Sequence, residues 1–372
     1  MSEQVNQILK AFSPRKIIWP VLIGLSAASY LLIRNFDGTA FLNINWTWYS
    51  SFWIFIALLM VVVRDFAYMY RIRVLTDQQL NWRQCFEVIM LWEFSSAIAP
   101  AILGGGFAFA ILIISREKVP MGKSISVVMF SSFLDGLFFA ILAPLIYYTA
   151  GKEQLFSSLD PASLQKISNG REFYFFFWFV YFIILFYKLL VAYALFINPR
   201  AVKFLLLRLF SIPILRKWKQ KARETGTEME IASRELQGKS GSYWLKSFGA
   251  TFASWTARYV IVNCIVMAFT TVPTSHFILY ARQVVMGLIM LFSPTPGGSG
   301  VAELIFGIFL GEFIPRGLTS SLALLWRLIS YYPYLFVGAI VLPRWIRRVF
   351  HKDETPPEIA DHAPSAIKQK SI

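Results

Sequence analysis

The sequence predicts an all-α polytopic membrane protein with about six spanning helices and two oppositely oriented re-entrant helical hairpins that form an inverted repeat. Three observations carry this. Of the 372 residues, 56% are hydrophobic and only 15% charged, too apolar for an ordinary soluble domain. Several runs approach or exceed the ~20 apolar residues an α-helix needs to cross the hydrocarbon core. Two further apolar regions are interrupted by Pro and Gly in the manner of discontinuous transporter helices.

The uninterrupted runs fall at about 17–33, 46–63, 125–148, 173–197, 248–270 and 318–342. The first interrupted region, 85–114, is broken by Pro100 and the triplet Gly104, Gly105 and Gly106. The second, 284–310, is broken by "FSPTPGGSGVAE" at 292–303, which holds Pro296, Gly297, Gly298, Ser299, Gly300 and Glu303.

Loop charge threads these segments, because short cytoplasmic loops are enriched in Lys and Arg. Lys10, Arg15 and Lys16 place the N-terminus (1–16) in the cytoplasm. The base-poor loop 34–45 leads to an interfacial cluster of Trp46, Trp48, Tyr49 and Trp53. Arg64, Arg71, Arg73 and Arg83 follow the second span, with Arg64 and Asp65 expected at an interfacial helix end. Arg116, Lys118 and Lys123 follow the first broken region, so both of its ends are expected on the cytoplasmic face, and Pro100 and its glycines turn it back. Loop 151–172 reads as external, and 198–246, with Arg216, Lys217, Lys219, Lys221 and Arg223, as cytoplasmic. That loop is expected to hold an amphipathic surface helix at 202–215, with either a topology-setting role or a lipid or protein dock. Base-poor 271–279 and 311–317 place the second hairpin's ends outside, and Arg344, Arg347, Arg348 and Lys352 return the C-terminus to the cytoplasm. The threading therefore gives a 17–348 domain of the cytoplasmic (inner) membrane and a tail, 349–372, of disordered composition. The rival threading makes both broken regions kinked full spans, giving eight.

The formal charge of +15 lies beside apolar runs without a basic-aromatic recognition motif, which argues against nucleic acid. Cys85 and Cys264 are too few and too separated for a disulfide framework or metal cluster. His276, His351 and His362 fall in loops or the tail, giving no metal site or His relay. No Gly-Lys-Ser/Thr follows the glycines, so the string is not a Walker loop. No small-residue cleavage pattern follows residue 33, so the first apolar run is expected to be retained.

Three stretches together, "SPTPGGSGVAE" at 293–303, "LLWRLISYYPYLFVG" at 324–338 and "APAILGGG" with "ILIISREKVPMGKSISVVMFSSFLDGL" upstream, resemble the lysylphosphatidylglycerol synthase transmembrane (flippase-like) family over most of 64–344. Some members fuse this domain to a soluble aminoacyl transferase. No transferase-sized region follows Arg348 here, so the resemblance implies lipid translocation and not synthesis, with no enzyme activity and no cofactor. The implied partners are membrane lipids with an anionic or zwitterionic headgroup; a homo-oligomer is left open.

An ionisable group at bilayer depth costs on the order of 2.5–3.5 kcal/mol, so each needs a partner or a watery path. Glu303, Asp135, Arg258 and Arg327 fall inside apolar segments, and Glu93 and Arg282 in or beside the hairpins. Glu303 stands where a carboxylate offsets the positive end of a helix starting after Gly300, so it reads as a cap, a ligand or both. Arg327 shares a helical face with Ser330, Tyr331 and Tyr334, and Arg258 with Thr251 and Ser254. Both arginines are candidate phosphate ligands, gripping through paired hydrogen bonds, or structural partners of Glu303 and Asp135. Asp135 is read as a coupling-proton carrier or an internal partner. Two other functions fit the same features: an ion-coupled transporter of a small anionic or zwitterionic solute, and an intramembrane lipid-modifying enzyme, the latter without a nucleophile-base or metal motif.

Overall fold

The computed structural model describes residues 46–98, 106–156, 171–209, 211, 219–270, 274–293, 295, 297–315 and 317–350. The span expected at 17–33, Pro100, Gly104, Gly105, Pro296 and the tail 353–372 lie outside these residues. Those described are helical, with no strand among them. Five stretches among them are long and apolar enough to cross a membrane.

Helix α1 (Trp48–Leu75) starts where the Thr47 hydroxyl accepts from the Ser50 N–H at 3.3 Å. It does not end near residue 63 as expected. It continues because Arg64, Asp65 and Arg71 find partners inside the bundle, and it stops at Asp77 and Gln78, whose φ angles of 51° and 61° are left-handed. Burial pushes the Asp77 carboxyl up, but hydrogen bonds from Lys123 and Lys239 outweigh this and hold it below its ordinary value. Helix α2 (Trp82–Ile98) and α3 (Phe107–Arg116) flank the first break, and α4 (Met121–Ala150) follows. A short α5 (Lys152–Phe156) precedes α6 (Arg171–Phe196), the apolar helix expected at 173–197.

The basic stretch 198–246 is more ordered than a loop. The amphipathic helix expected at 202–215 is α7 (Pro199–Leu209), started by Asn198 Oδ1 accepting from the Ala201 N–H. A polar α8 (Lys219–Leu236) lies against α4, α6 and α7, tied by Lys203 to Glu230 at 3.1 Å. Helix α9 (Gly241–Phe269) runs along α1, where the Ser50 hydroxyl donates to the Ala268 carbonyl at 2.7 Å. Helix α10 (His276–Met290) and α11 (Val301–Leu310) flank the second break.

The last span, expected unbroken, is two helices. α12 (Thr319–Ser330) and α13 (Tyr332–Phe350) meet at Tyr331, whose backbone (φ −128°, ψ −56°) leaves the helical range. Gly338 lets α13 close on α2, since a Cβ there would sit 2.4 Å from the Phe94 Cβ.

Each broken pair folds back on itself. Gln84, at the start of α2, donates to Glu117 just past α3 at 2.8 Å. Arg282, midway along α10, donates to the Phe309 carbonyl near the end of α11 at 2.8 Å, and to the Gln154 carbonyl. Glu117 precedes α4 and Gln154 follows it, so the two mouths lie at opposite ends of a 30-residue helix, about 45 Å apart at 1.5 Å per residue. The hairpins therefore point at one another.

The buried apolar side chains form two clusters. One gathers Phe138, Ile265, Val285 and Phe306 around the second hairpin. The other gathers Ile72, Phe94, Ile113 and Phe130 around the first. α1, α4 and α9 pass through both, with Leu134 in one cluster and Phe138 in the other.

Candidate functional site

Asp135 sits between those two α4 residues, and it marks an ionic layer between the apolar cores. In the layer, α1 presents Arg64, Tyr68 and Arg71 at i, i+4 and i+7, one face of the helix. Arg64 lies 3.4 Å from Asp65 and 3.6 Å from Glu93 of α2, with its guanidinium 4.4 Å above the Tyr334 ring. The Tyr334 hydroxyl donates to Asp65 at 2.8 Å. Arg258 of α9 donates to Glu93 at 3.1 Å and rests 5.0 Å from the Trp255 ring. Arg71 donates to Asp135 at 2.5 Å and to the Thr251 hydroxyl at 3.2 Å, and the Trp255 N–H donates to the same Asp135 oxygen at 2.9 Å.

Burial is uneven across this layer. The Arg64 and Arg71 side chains are 0% and 4% exposed, whereas Asp65, Glu93, Asp135 and Arg258 are 20%, 25%, 29% and 30% exposed. The first two arginines hold the carboxylates from behind. The carboxylates and Arg258 present the polar surface, as a group that meets a charged ligand must. This overturns the interfacial position expected for Arg64 and Asp65 and the loop position expected for Arg71. The i, i+4, i+7 stripe of Arg64, Tyr68 and Arg71 was the available signal. A loop-charge count cannot register it, because it scores each Arg as a loop residue.

The second break has different chemistry. Gly297, Gly298 and Gly300 take φ of 57°, 69° and 81°, a left-handed run that other residues rarely adopt. The chain turns there into α11, and the Glu303 carboxylate accepts from the Gly300 N–H at 2.7 Å. Arg327 approaches the other Glu303 oxygen at 3.1 Å and donates to the Gly297 carbonyl at 2.9 Å and the Ser299 hydroxyl at 3.3 Å. Its guanidinium lies 3.7 Å from the Tyr331 ring centre. Arg327 and Glu303 are 5% and 7% exposed. Of the readings the sequence allowed, the structure has the cap at Glu303 and the structural pairing at Arg327.

Tyr331 joins the two breaks. Its hydroxyl donates to the Ala97 carbonyl, at the end of α2, at 3.1 Å, while its ring lies against Gly297. At the first break Gly106 is pressed on α2, where a Cβ would stand 2.1 Å from the Ser95 hydroxyl. Arg282 is not part of the layer: it is occupied at the second hairpin's mouth by Gln154, Phe309 and Glu312. Sequence reading missed Lys188, the single charge between Glu172 and Arg200, whose ammonium donates to the Ser132 carbonyl at 2.6 Å.

These features define a polytopic α-helical membrane protein with an ionic layer between two apolar cores, beside two broken helix pairs joined through Tyr331. The chain belongs to the lysylphosphatidylglycerol synthase transmembrane family: the lysylphosphatidylglycerol synthase TM region matches residues 17–338. It is similar to a UPF0104 membrane protein of Archaeoglobus fulgidus, 25% identical over 351 residues that cover 91% of this chain and 93% of the relative. No solved structure matches it.

Proposed function

We propose that this protein moves the headgroup of a membrane lipid between leaflets through the ionic layer, the acyl chains staying in the bilayer. The observation that carries the reading is the partly exposed set of Asp65, Glu93, Asp135 and Arg258 between two apolar cores, beside the point where Tyr331 joins the two breaks. Broken helices at corresponding positions of an inverted repeat mark substrate sites in transporters. A guanidinium suits a phosphodiester, so Arg258 is its ligand, and Glu93 or Asp135 meets an amine or a coupling proton. Arg327 and Glu303 shape the second break and do not touch the headgroup. The hairpins are re-entrant, from the cytoplasm at α2–α3 and from outside at α10–α11, in the cytoplasmic membrane, with both termini cytoplasmic. The protein carries lipid and makes no new bond.

Reconstitution tests this. Purified protein in liposomes should exchange labelled lipid across leaflets faster than empty liposomes for at least one headgroup of a panel. Arg258→Gln should slow this roughly tenfold or more, the loss of a charge-assisted hydrogen bond. Exchange equal to that of empty liposomes for every headgroup refutes the reading, and solute uptake driven by a pH or sodium gradient in its place would identify a solute transporter.

A further inference from the structure

Among the described residues, the charged side chains of the ionic layer and of the second break fall into two sets. Arg327 and Glu303 balance one another. Among the described residues, the layer holds Arg64, Arg71, Arg258 and Lys188 against Asp65, Glu93 and Asp135, four cations to three carboxylates.

Lys188 supplies the surplus. It lies on α6, whose outer face is exposed Phe179, Phe182 and Phe186, but its side chain turns inward on the side of buried Phe177, Tyr181 and Val191. The stem crosses α4 at Gly136, where any Cβ would lie 2.1 Å from Lys188 Cε, so a glycine is needed for the stem to pass. The ammonium ends on neutral oxygens, the Ser132 carbonyl at 2.6 Å and the Ser132 hydroxyl at 3.1 Å, one turn before Asp135. Asp135 is already engaged by Arg71 and Trp255, and Lys188 makes no ion pair among the described residues.

A charge that makes no ion pair among the described residues, with its nearest carboxylate, Asp135, already engaged, calls for an anion. Among the described residues, four buried guanidinium nitrogens of the same layer, Nε and Nη2 of Arg64 and the Nε of Arg71 and of Arg258, also make no hydrogen bond. A single negative charge spread over several acceptor oxygens meets an ammonium already held by two neutral oxygens, and that is the chemistry of a phosphodiester.

We infer that the layer is built one negative charge short and that Lys188 is where a lipid phosphodiester, a monoanion, completes it. This rests on the translocation reading and deepens it by naming the group that sets the charge of the headgroup taken. A phosphomonoester, nearly dianionic at neutral pH, overshoots the balance.

The test is calorimetric titration of the full chain in detergent with three probes: dihexanoylphosphatidylmethanol, a plain phosphodiester; inorganic phosphate; and uncharged dihexanoylglycerol. Wild type should bind the phosphodiester more tightly than phosphate and should not bind the uncharged lipid. Lys188→Met should weaken phosphodiester binding by about tenfold or more, while Lys188→Arg, which keeps the charge, stays within about threefold. Lys188→Gln gives the same comparison if the Met variant fails to fold, judged by its melting temperature. Wild-type affinity in folded Lys188→Met or Lys188→Gln overturns the inference, as does a wild type that binds none of the probes or binds the uncharged lipid equally. Phosphate binding as tightly as the phosphodiester points to free phosphate and also overturns it. Because binding is scored in detergent, liposomes that move no lipid sink the translocation reading alone.

Discussion

Gly297→Ala is the sharpest test of how the two hairpin tips meet. The substitution adds one methyl group and no charge. At φ 57° it enters a left-handed conformation that costs a non-glycine residue about 1–2 kcal/mol. Its Cβ would stand 2.3 Å from the Tyr331 hydroxyl oxygen and 2.4 Å from the ring, well inside contact distance, and overpacking of this kind costs about 1–3 kcal/mol. The total is roughly 2–5 kcal/mol, read as a lower melting temperature in detergent. Tyr331→Ala separates the two contributions. It destabilises by itself, opening a cavity and orphaning the Ala97 carbonyl, but it removes the obstacle, so Gly297→Ala in that background should cost only the backbone strain. The double variant is therefore less damaged than the sum of the singles, by about 1–3 kcal/mol. A Gly297→Ala protein as stable as wild type, or strict additivity with Tyr331→Ala, refutes the close approach and with it the joining of the breaks.

Glu303→Ala strips the Gly300 cap and leaves Arg327 buried without its counter-charge, a loss of about 3–5 kcal/mol. Glu303→Gln keeps an acceptor for the Gly300 N–H and should lose visibly less; equal melting of the two variants argues against the cap. The threading is checked with single cysteines, for which the native Cys85 and Cys264, 0% and 1% exposed, give little background. An impermeant maleimide should label Trp46→Cys from outside and Arg347→Cys only after the cytoplasmic face is opened; labelling of both from one side rejects it.

Helix positions were legible because membrane segments are set by length and apolar content, which composition reports directly. The signal for the second break was also local, since Gly297, Gly298 and Gly300 act on their own backbone. What escaped was partnership across the bundle. Arg64 and Arg71 read as interfacial because, on a count of loop charge, an Arg beyond residue 63 is a cytoplasmic flank; only Glu93 and Asp135, distant in sequence, keep α1 helical past them. Arg327 and Arg258 looked alike as charges in apolar runs. They differ because Arg327 meets the carbonyl, hydroxyl and carboxylate of the second break, whereas Arg258 has one carboxylate and an open side. The kink at Tyr331 does have a local sign, Pro333 two residues on, which has no N–H to give the Ile329 carbonyl and suits the first turn of a new helix.

That tyrosine has a mechanical meaning. One phenol is held at once by the carbonyl that ends α2 and by the glycine turn ahead of α11, so neither hairpin can rearrange without releasing a grip the other uses. Any coupling between two such contacts is reciprocal by thermodynamic necessity: what a shift of the turn does to the carbonyl's hold, a shift of the carbonyl does to the turn. The two breaks thus share one contact at the centre of the molecule, and on the proposed translocation, opening toward either leaflet would draw on it.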